Sequence, residues 1–195
     1  MKIISETSKK PRKLTPKGTH QAVCVSVVDL GTGEETWQGE TKIQRKINVT
    51  WALPKSTVEI DGEQRPLLIG KKYTVSDHEK ADLTKHLMSW LSLAQEEVGK
   101  YDCSNLIDKT ALVTVSHDVR PNGEQYSKVT SVSALPEGLE TPTVDMERWE
   151  YDPDNPRKNW DKLQEWQRER VAISHEYKAA KANGKTEDET DSIPF

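Results

Sequence analysis

Basic and aromatic side chains recur in the segments of this chain that have the alternating hydrophobic pattern of β-strands, and in the turns between them. They are Trp37, Lys42, Arg45, Lys46, Lys71, Lys72, Tyr73, Arg120, Tyr126 and Lys128. Lysine and arginine pair with phosphates, and aromatic rings stack on unpaired bases, with each stacked base contributing about 1–3 kcal/mol. These residue types in this arrangement therefore predict a surface that binds single-stranded nucleic acid.

Several aromatic and basic residues also have a purely structural interpretation. Lys42 and Lys46 are of the type that commonly lines the solvent-facing side of a strand. Trp51 belongs to the apolar row of a strand and Trp90 to the apolar face of a helix, so we expect both in the core. Trp37 has the weakest structural explanation, because an indole in a loop has no obvious core to join.

The sequence offers no convincing catalytic or metal-binding constellation. The five histidines have no paired spacing, and zinc sites need such spacing. The acidic residues between 145 and 154 lie in a proline-rich segment rather than on rigid strands, which disfavours a metal-dependent nuclease. Cys24 and Cys103 lack metal-ligand or disulfide spacing, so we interpret them as small buried hydrophobic residues. We expect neither enzymatic activity nor a cofactor or metal.

Five strands and an interior helix are predicted to position these residues. The strand segments are residues 19–33, ended by Gly31 and Gly33, then 41–54, 66–76, 108–119 and 124–136. Leu83, Leu87 and Trp90 recur at helical spacing between the third and fourth strands, in a helix from about Glu79 to about Glu97. Asn122-Gly123 predicts a tight hairpin between the last two strands.

This order is typical of an OB-fold, a five-stranded Greek-key barrel whose second and third strands bind oligonucleotides. An SH3-like barrel or a fragment of a β-sandwich shares part of the pattern, but a full interior helix fits those folds less well. The predicted fold is therefore mainly β, with a C-terminal helix and a disordered acidic tail. The predicted parts are a flexible basic arm (1–17), the OB-fold domain (18–136), a linker (137–158), a C-terminal helix (159–183) and the tail (184–195).

Charge is distributed unevenly along the chain. Residues 1–17 contain six basic side chains and one acidic one, whereas residues 186–195 contain four acidic side chains and no basic one. The whole chain carries 28 basic and 32 acidic residues, so residues 1–185 are balanced at 28 − 28 = 0. A basic arm and an acidic tail are expected of a chain that binds a polyanion. No stretch reaches the ~18 apolar residues that span a bilayer, so we expect no membrane partner and a cytoplasmic location.

Four stretches resemble the small phage-encoded OB-fold single-stranded DNA-binding proteins of phage replication and recombination. They are GTHQAVCVSVVDLGT, IGKKYTVSDHEKADLTKHLMSWL, LIDKTALVTVSH and SVSALPEG, with a weaker likeness in WQRERVAISHEY. The resemblance covers roughly residues 18–140. It implies an OB-fold, binding to single-stranded DNA, and a location in the host cytoplasm.

The final residues DSIPF resemble the acidic tip of bacterial single-stranded DNA-binding proteins. In that family the tip recruits replication and recombination proteins by docking its last two residues in a pocket. The resemblance implies that Pro194 and Phe195 are the anchors, that Ile193 supports them, and that Asp191 and the preceding acids steer the encounter. Ser192 departs from the usual unbroken run of aspartates, which weakens steering more than docking.

The sequence therefore predicts a protein that coats single-stranded DNA without strong sequence preference and recruits replication or recombination proteins through its tail. The alternative is an interaction module with little DNA affinity, whose tail competes for host replication enzymes. The balanced charge of residues 1–185 keeps this alternative open, because a strong DNA binder usually has a clear basic excess. The predicted 159–183 helix is compatible with packing on its own barrel, with pairing of two protomers as a homodimer, and with contacting DNA.

Overall fold

The structure, a computed structural model, describes residues 13–37 and 39–184. Most of the predicted basic arm and the whole docking tip, with Asp191, Ile193, Pro194 and Phe195, lie outside the described residues. The strands are β1 (Gly18–Trp37), β2 (Glu40–Ile60), β3 (Glu63–Thr74), β4 (Thr110–Val119), β5 (Gln125–Ser133) and β6 (Trp149–Tyr151). The α-helices are α1 (Asp82–Leu91), α2 (Gln95–Val98), α3 (Glu165–Ala172) and α4 (His175–Ala182), with 3₁₀ turns at Cys103–Leu106 and Trp160–Lys162.

The strands form a nearly closed, barrel-shaped sheet in the order β3-β2-β1-β4-β5, with antiparallel neighbours throughout. The two end strands meet where Lys71 Nζ of β3 donates a hydrogen bond of 3.1 Å to the carbonyl oxygen of Val129 in β5. β6 lies off this path and pairs in parallel with β1. The expectation of a mainly-β chain built on a barrel is confirmed.

The barrel interior is filled by the apolar row of β2 and by one face of α1. Ile47, Val49, Trp51 and Leu53 are buried, as their alternation predicts. Trp90 of α1 packs against Trp51 with ring centroids 5.7 Å apart. The prediction that both tryptophans belong to the core is confirmed.

The predicted helix over 79–97 is shorter in the structure. α1 ends at Leu91 because Ser92 adopts a left-handed conformation with φ 56°. A left-handed residue breaks the run of backbone hydrogen bonds. The chain then resumes as the short helix α2.

Gly31 and Gly33 do not end the first strand, contrary to the prediction. β1 runs on to Trp37, and both glycines lie within it. A Cβ atom on Gly31 would lie 2.5 Å from the Cβ of Ser174, and one on Gly33 would lie 2.8 Å from Nη1 of Arg170. The two glycines therefore allow the C-terminal segment to approach β1 closely.

The segment after the barrel is neither a free linker nor a single helix. β6 lies within the predicted linker and adds to β1, while the predicted 159–183 helix is divided into a 3₁₀ turn, α3 and α4. The break follows Ile173, where the Ser174 hydroxyl caps α4 by accepting a hydrogen bond of 3.3 Å from the Tyr177 amide. A second core forms between this segment and the outer face of β1. Its buried residues are Val28, Leu30, Tyr151, Leu163 and Val171.

No helix among the described residues combines the length and the apolar character needed to cross a membrane.

Candidate nucleic-acid interface

Two of the predicted lysines meet on the outer face of β2 and β3. In the register between these strands, Lys46 lies opposite Thr74 and Asn48 lies opposite Lys72. Lys46 and Lys72 are therefore neighbours on the face that points away from the core. The Nζ of Lys46 donates a hydrogen bond of 2.8 Å to the Thr74 hydroxyl, and neither lysine has a salt bridge to a described carboxylate.

Burial lowers the pKa of Lys46, and the positive charges of Lys72 and Arg170 act in the same direction, although Glu35 opposes them. Burial is the main cause of the shift, and Glu35 offsets part of the repulsion from the two cations. Lys72 and Arg170 nevertheless lie close enough to Lys46 to act on its charge, so three cations share this side of the sheet. Such a cluster favours an anionic ligand.

Lys42 lies further along the β1–β2 hairpin, at the rim of a shallow groove. The groove has a volume of about 330 Å³ and is lined by Glu35, Thr36, Glu40, Lys42, Gln44 and Lys46. Lys42 pairs with Glu40 at 3.1 Å, but both side chains are well exposed. Exposed ion pairs of this kind are weak, so Lys42 remains available to a phosphate.

Arg45 belongs to the opposite face, where its surroundings disfavour the predicted contact with nucleic acid. Its Nε donates a hydrogen bond of 2.9 Å to Oδ2 of Asp29, and its Nη2 contacts the same oxygen. The cleft around it, about 530 Å³, is also lined by Asp102, Glu150, Asp152 and Asp154. Carboxylates in that number repel a phosphate, and Arg45 itself is already neutralised by Asp29.

Lys71 and Tyr73 face the barrel interior, which contradicts the prediction that Tyr73 stacks on a base and disfavours a phosphate contact by Lys71. Tyr73 is 3% exposed, and its hydroxyl lies 2.7 Å from Nδ1 of His86. No base can reach a ring so deeply buried. Lys71 Nζ forms a salt bridge of 2.8 Å with Asp82 of α1 and also bonds to β5, so this lysine holds the barrel closed.

The buried His86 gives the barrel a testable pH dependence. Burial lowers its pKa, and the charge of Lys71 adds to the effect. The unfolded chain has an ordinary histidine pKa of about 6.5, so it binds a proton below that pH. The folded chain binds this proton only at lower pH, so the free energy of unfolding falls as the pH falls through this range. We expect the free energy of unfolding to decrease more between pH 7.5 and pH 5.5 in the wild type than in His86→Gln. Urea denaturation at the two pH values measures this, and equal decreases would contradict it.

Arg120, Tyr126 and Lys128 gather at the β4–β5 hairpin. The guanidinium carbon of Arg120 lies 5.2 Å from the centre of the Tyr126 ring. Lys128 pairs with Asp118 at 3.1 Å, and Arg120 pairs with Glu124 at 2.8 Å. The hairpin thus combines a half-buried aromatic ring with two cations, but its two acids balance their charge.

Trp37 ends β1, and its side chain lies outside the described part of the chain. The structure adds two side chains that the sequence analysis did not include, Trp166 and Arg170 of α3. Trp166 is 40% exposed, and Arg170 packs on the outer face of β1. Both residues belong to the basic and aromatic run WQRER, which could have indicated a binding surface. The sequence analysis interpreted this run only as part of a continuous amphipathic helix, because it considered helical periodicity alone.

Within residues 13–37 and 39–184, no group of three or more histidine, cysteine or acidic side chains is arranged to hold a metal ion. Cys24 is buried and Cys103 is partly buried, and both are free thiols. Burial raises the pKa of the Cys103 thiol to about 11. A thiol with so high a pKa is a poor nucleophile at neutral pH.

Comparison with known proteins finds no matching family model, no matching curated protein and no matching solved structure.

Proposed function

We propose that this chain is a single-stranded DNA-binding protein of phage type, built on an OB-fold barrel. The strand order β3-β2-β1-β4-β5, with β5 bonded to β3 through Lys71, supports this fold. α1 follows β3 in the chain and packs into the barrel beside Trp51, as expected of the helix in this fold.

The observation that carries the function is the pair of lysines on the outer face of β2 and β3. OB-folds bind oligonucleotides on this face. Lys46 and Lys72 lie there on adjacent strands and have no salt bridge to a described carboxylate, whereas Arg45 and Lys71 are held in partly buried salt bridges. The lysines on this face are thus the cations best able to exchange solvent counterions for phosphates, without strong preference for sequence.

The acidic tail supplies the second half of the proposal. Residues 186–195, with Ile193, Pro194 and Phe195 at their end, dock replication or recombination proteins while the barrel holds the strand. Between encounters the four acids of this segment compete with DNA for the basic face. Removing the segment is therefore expected to leave DNA affinity unchanged at high salt and to raise it at low salt.

The test is fluorescence anisotropy of labelled oligo-dT over a salt series. We expect the double variant Lys46→Gln/Lys72→Gln to weaken binding by about tenfold and to reduce the slope of log affinity against log salt by about 1.4, because two phosphate contacts are lost. Lys100→Gln/Lys109→Gln makes the same charge change at two exposed lysines off the β2–β3 face. This control should keep the wild-type slope.

Two outcomes would overturn the proposal. Equal losses of oligo-dT affinity in the two double variants would mean that the total charge of the protein, and not the β2–β3 face, determines binding. Absence of binding by both the intact chain and residues 1–185 at low salt would exclude the function altogether. The remaining hypothesis would then be an interaction module whose tail competes for host replication enzymes.

A further inference from the structure

α3 lies across the outer face of β1, close to the groove that Lys42 borders. Arg170 packs against Gly33, and Ser174, one turn later, packs against Gly31. α3 therefore runs antiparallel to β1 along the hairpin. Trp166, one turn before Arg170, is displaced toward the turn between β1 and β2.

The register of the hairpin places these helix residues beside the groove. Gly33 lies opposite Gln44 and Glu35 lies opposite Lys42, and all four positions belong to the outer face of the sheet. Nε of Arg170 is 3.5 Å from Oε1 of Glu35, which also lines the groove. The salt bridge thus brings α3 to the edge of the surface that carries the candidate lysines.

Arg170 brings a buried positive charge to this edge. Its side chain is 11% exposed, and its three guanidinium nitrogens have no hydrogen-bond acceptor among the described residues. A guanidinium has five N–H donors, and leaving them unpaired in a buried position is unfavourable. The three nitrogens are shielded from solvent, so Arg170 acts on the groove through its positive charge and not by direct contact with a ligand.

The charges around the groove favour an anionic ligand. Lys42, Lys46, Lys72 and Arg170 are positive and Glu35 and Glu40 are negative, so the balance is 4 − 2 = +2. This surface has a net positive charge although residues 1–185 as a whole are neutral. A nucleic-acid strand is therefore a better occupant than an apolar or acidic peptide.

Trp166 supplies the aromatic surface that Tyr73 cannot. Its indole Nε1 donates a hydrogen bond of 2.8 Å to Oε1 of Gln164, so the polar atom is satisfied within its own segment. The ring is nevertheless 40% exposed, whereas Trp51 and Trp90 are at most 5% exposed. An exposed indole one helical turn from Arg170 offers a ring face on which an unpaired base can stack.

We propose that Trp166 stacks on a base of the bound strand, whose phosphates pass along Lys42 and Lys46, where the buried charge of Arg170 adds to the positive potential. This inference rests on the proposed function and extends the binding surface from the barrel to α3. It assigns the C-terminal segment a direct role in holding DNA, beyond covering the outer face of β1.

The test compares Trp166→Leu and Trp166→Phe in the full chain, with Ile173→Ala as a control. Ile173 is another exposed apolar residue, directly after α3. We expect Trp166→Leu to reduce affinity for oligo-dT by about 5- to 100-fold without changing the salt slope, since stacking releases no counterions. Trp166→Phe should retain most of the affinity, and Ile173→Ala all of it. Saturating oligo-dT should quench tryptophan fluorescence less in Trp166→Leu than in the wild type.

The outcomes separate this inference from the proposed function. Wild-type affinity in Trp166→Leu would overturn the inference and leave the proposed function standing. An equal loss in Ile173→Ala, or a lower melting temperature in Trp166→Leu, would mean that α3 packing rather than stacking was disturbed. A changed sedimentation coefficient with unchanged DNA affinity would identify Trp166 as a contact between protomers. Failure of the wild type to bind DNA would overturn both.

Discussion

Gly31→Ala is expected to lower the free energy of unfolding by about 3 kcal/mol or more. Gly31 has φ +69°, and a Cβ atom there would lie 2.5 Å from the Cβ of Ser174 and 2.8 Å from Oε2 of Glu176. Ser174 is fully buried, so it cannot move aside without displacing α4. Glu176 also receives hydrogen bonds of 2.7 and 2.6 Å from the amide and hydroxyl of Thr32. The substitution should therefore detach α4 from β1.

Gly62→Ala is the matched control for this substitution. Gly62 also has a positive φ, +83°, but an added Cβ would meet no atom within 4 Å. Only the backbone strain applies there, which costs about 1 kcal/mol. Urea denaturation gives the two free energies, and limited proteolysis reports whether residues after 174 become accessible in Gly31→Ala. Equal losses of stability in the two variants would contradict the close packing between β1 and α4.

Trp51→Ala is expected to destabilise the barrel by about 3–5 kcal/mol, because it leaves a large cavity at the centre of the core. Trp51 is 0% exposed and packs against Trp90 of α1 at a ring-centroid distance of 5.7 Å. Its loss removes the ring contact between β2 and the helix. Chemical denaturation followed by far-ultraviolet circular dichroism measures the change.

Phenylalanine substitutions at the two tryptophans test the packing more finely. The Trp51 indole N–H is buried and has no hydrogen-bond partner among the described residues, whereas Nε1 of Trp90 donates a bond of 2.6 Å to the carbonyl oxygen of Thr110. The two substitutions remove the same volume, but only Trp90→Phe leaves a carbonyl unpaired. Trp90→Phe should therefore be the more destabilising by about 1–3 kcal/mol. A larger loss in Trp51→Phe would contradict this assignment of the hydrogen bonds.

Strand alternation alone would have shown that Tyr73 and Lys72 cannot share a binding surface. Lys71, Lys72 and Tyr73 are consecutive residues of β3, and consecutive residues of a strand point to opposite faces. They cannot all belong to one binding surface. The pairing of Lys72 with Asn48 and of Tyr73 with the buried Ile47 determines which of them faces solvent.

The sequence by itself determined the features that depend on local period and local turns. Alternation assigned Ile47, Val49, Trp51 and Leu53 to the core, and helical spacing assigned Trp90 to it. Asn122-Gly123 predicted the β4–β5 hairpin, which the structure contains. These features involve residues a few positions apart, so the chain around them is sufficient to specify them.

Only the tertiary structure decided what covers each face of the sheet. Asp29 binds Arg45 on the face opposite the candidate interface, and Gly31 lies inside β1, where Ser174 packs against it. The exposure of Trp166 likewise follows from how α3 lies on β1. Each outcome depends on a contact between residues distant in the sequence. Periodicity indicates which residues share a face, but only long-range packing decides whether that face meets solvent, an acid or another part of the chain.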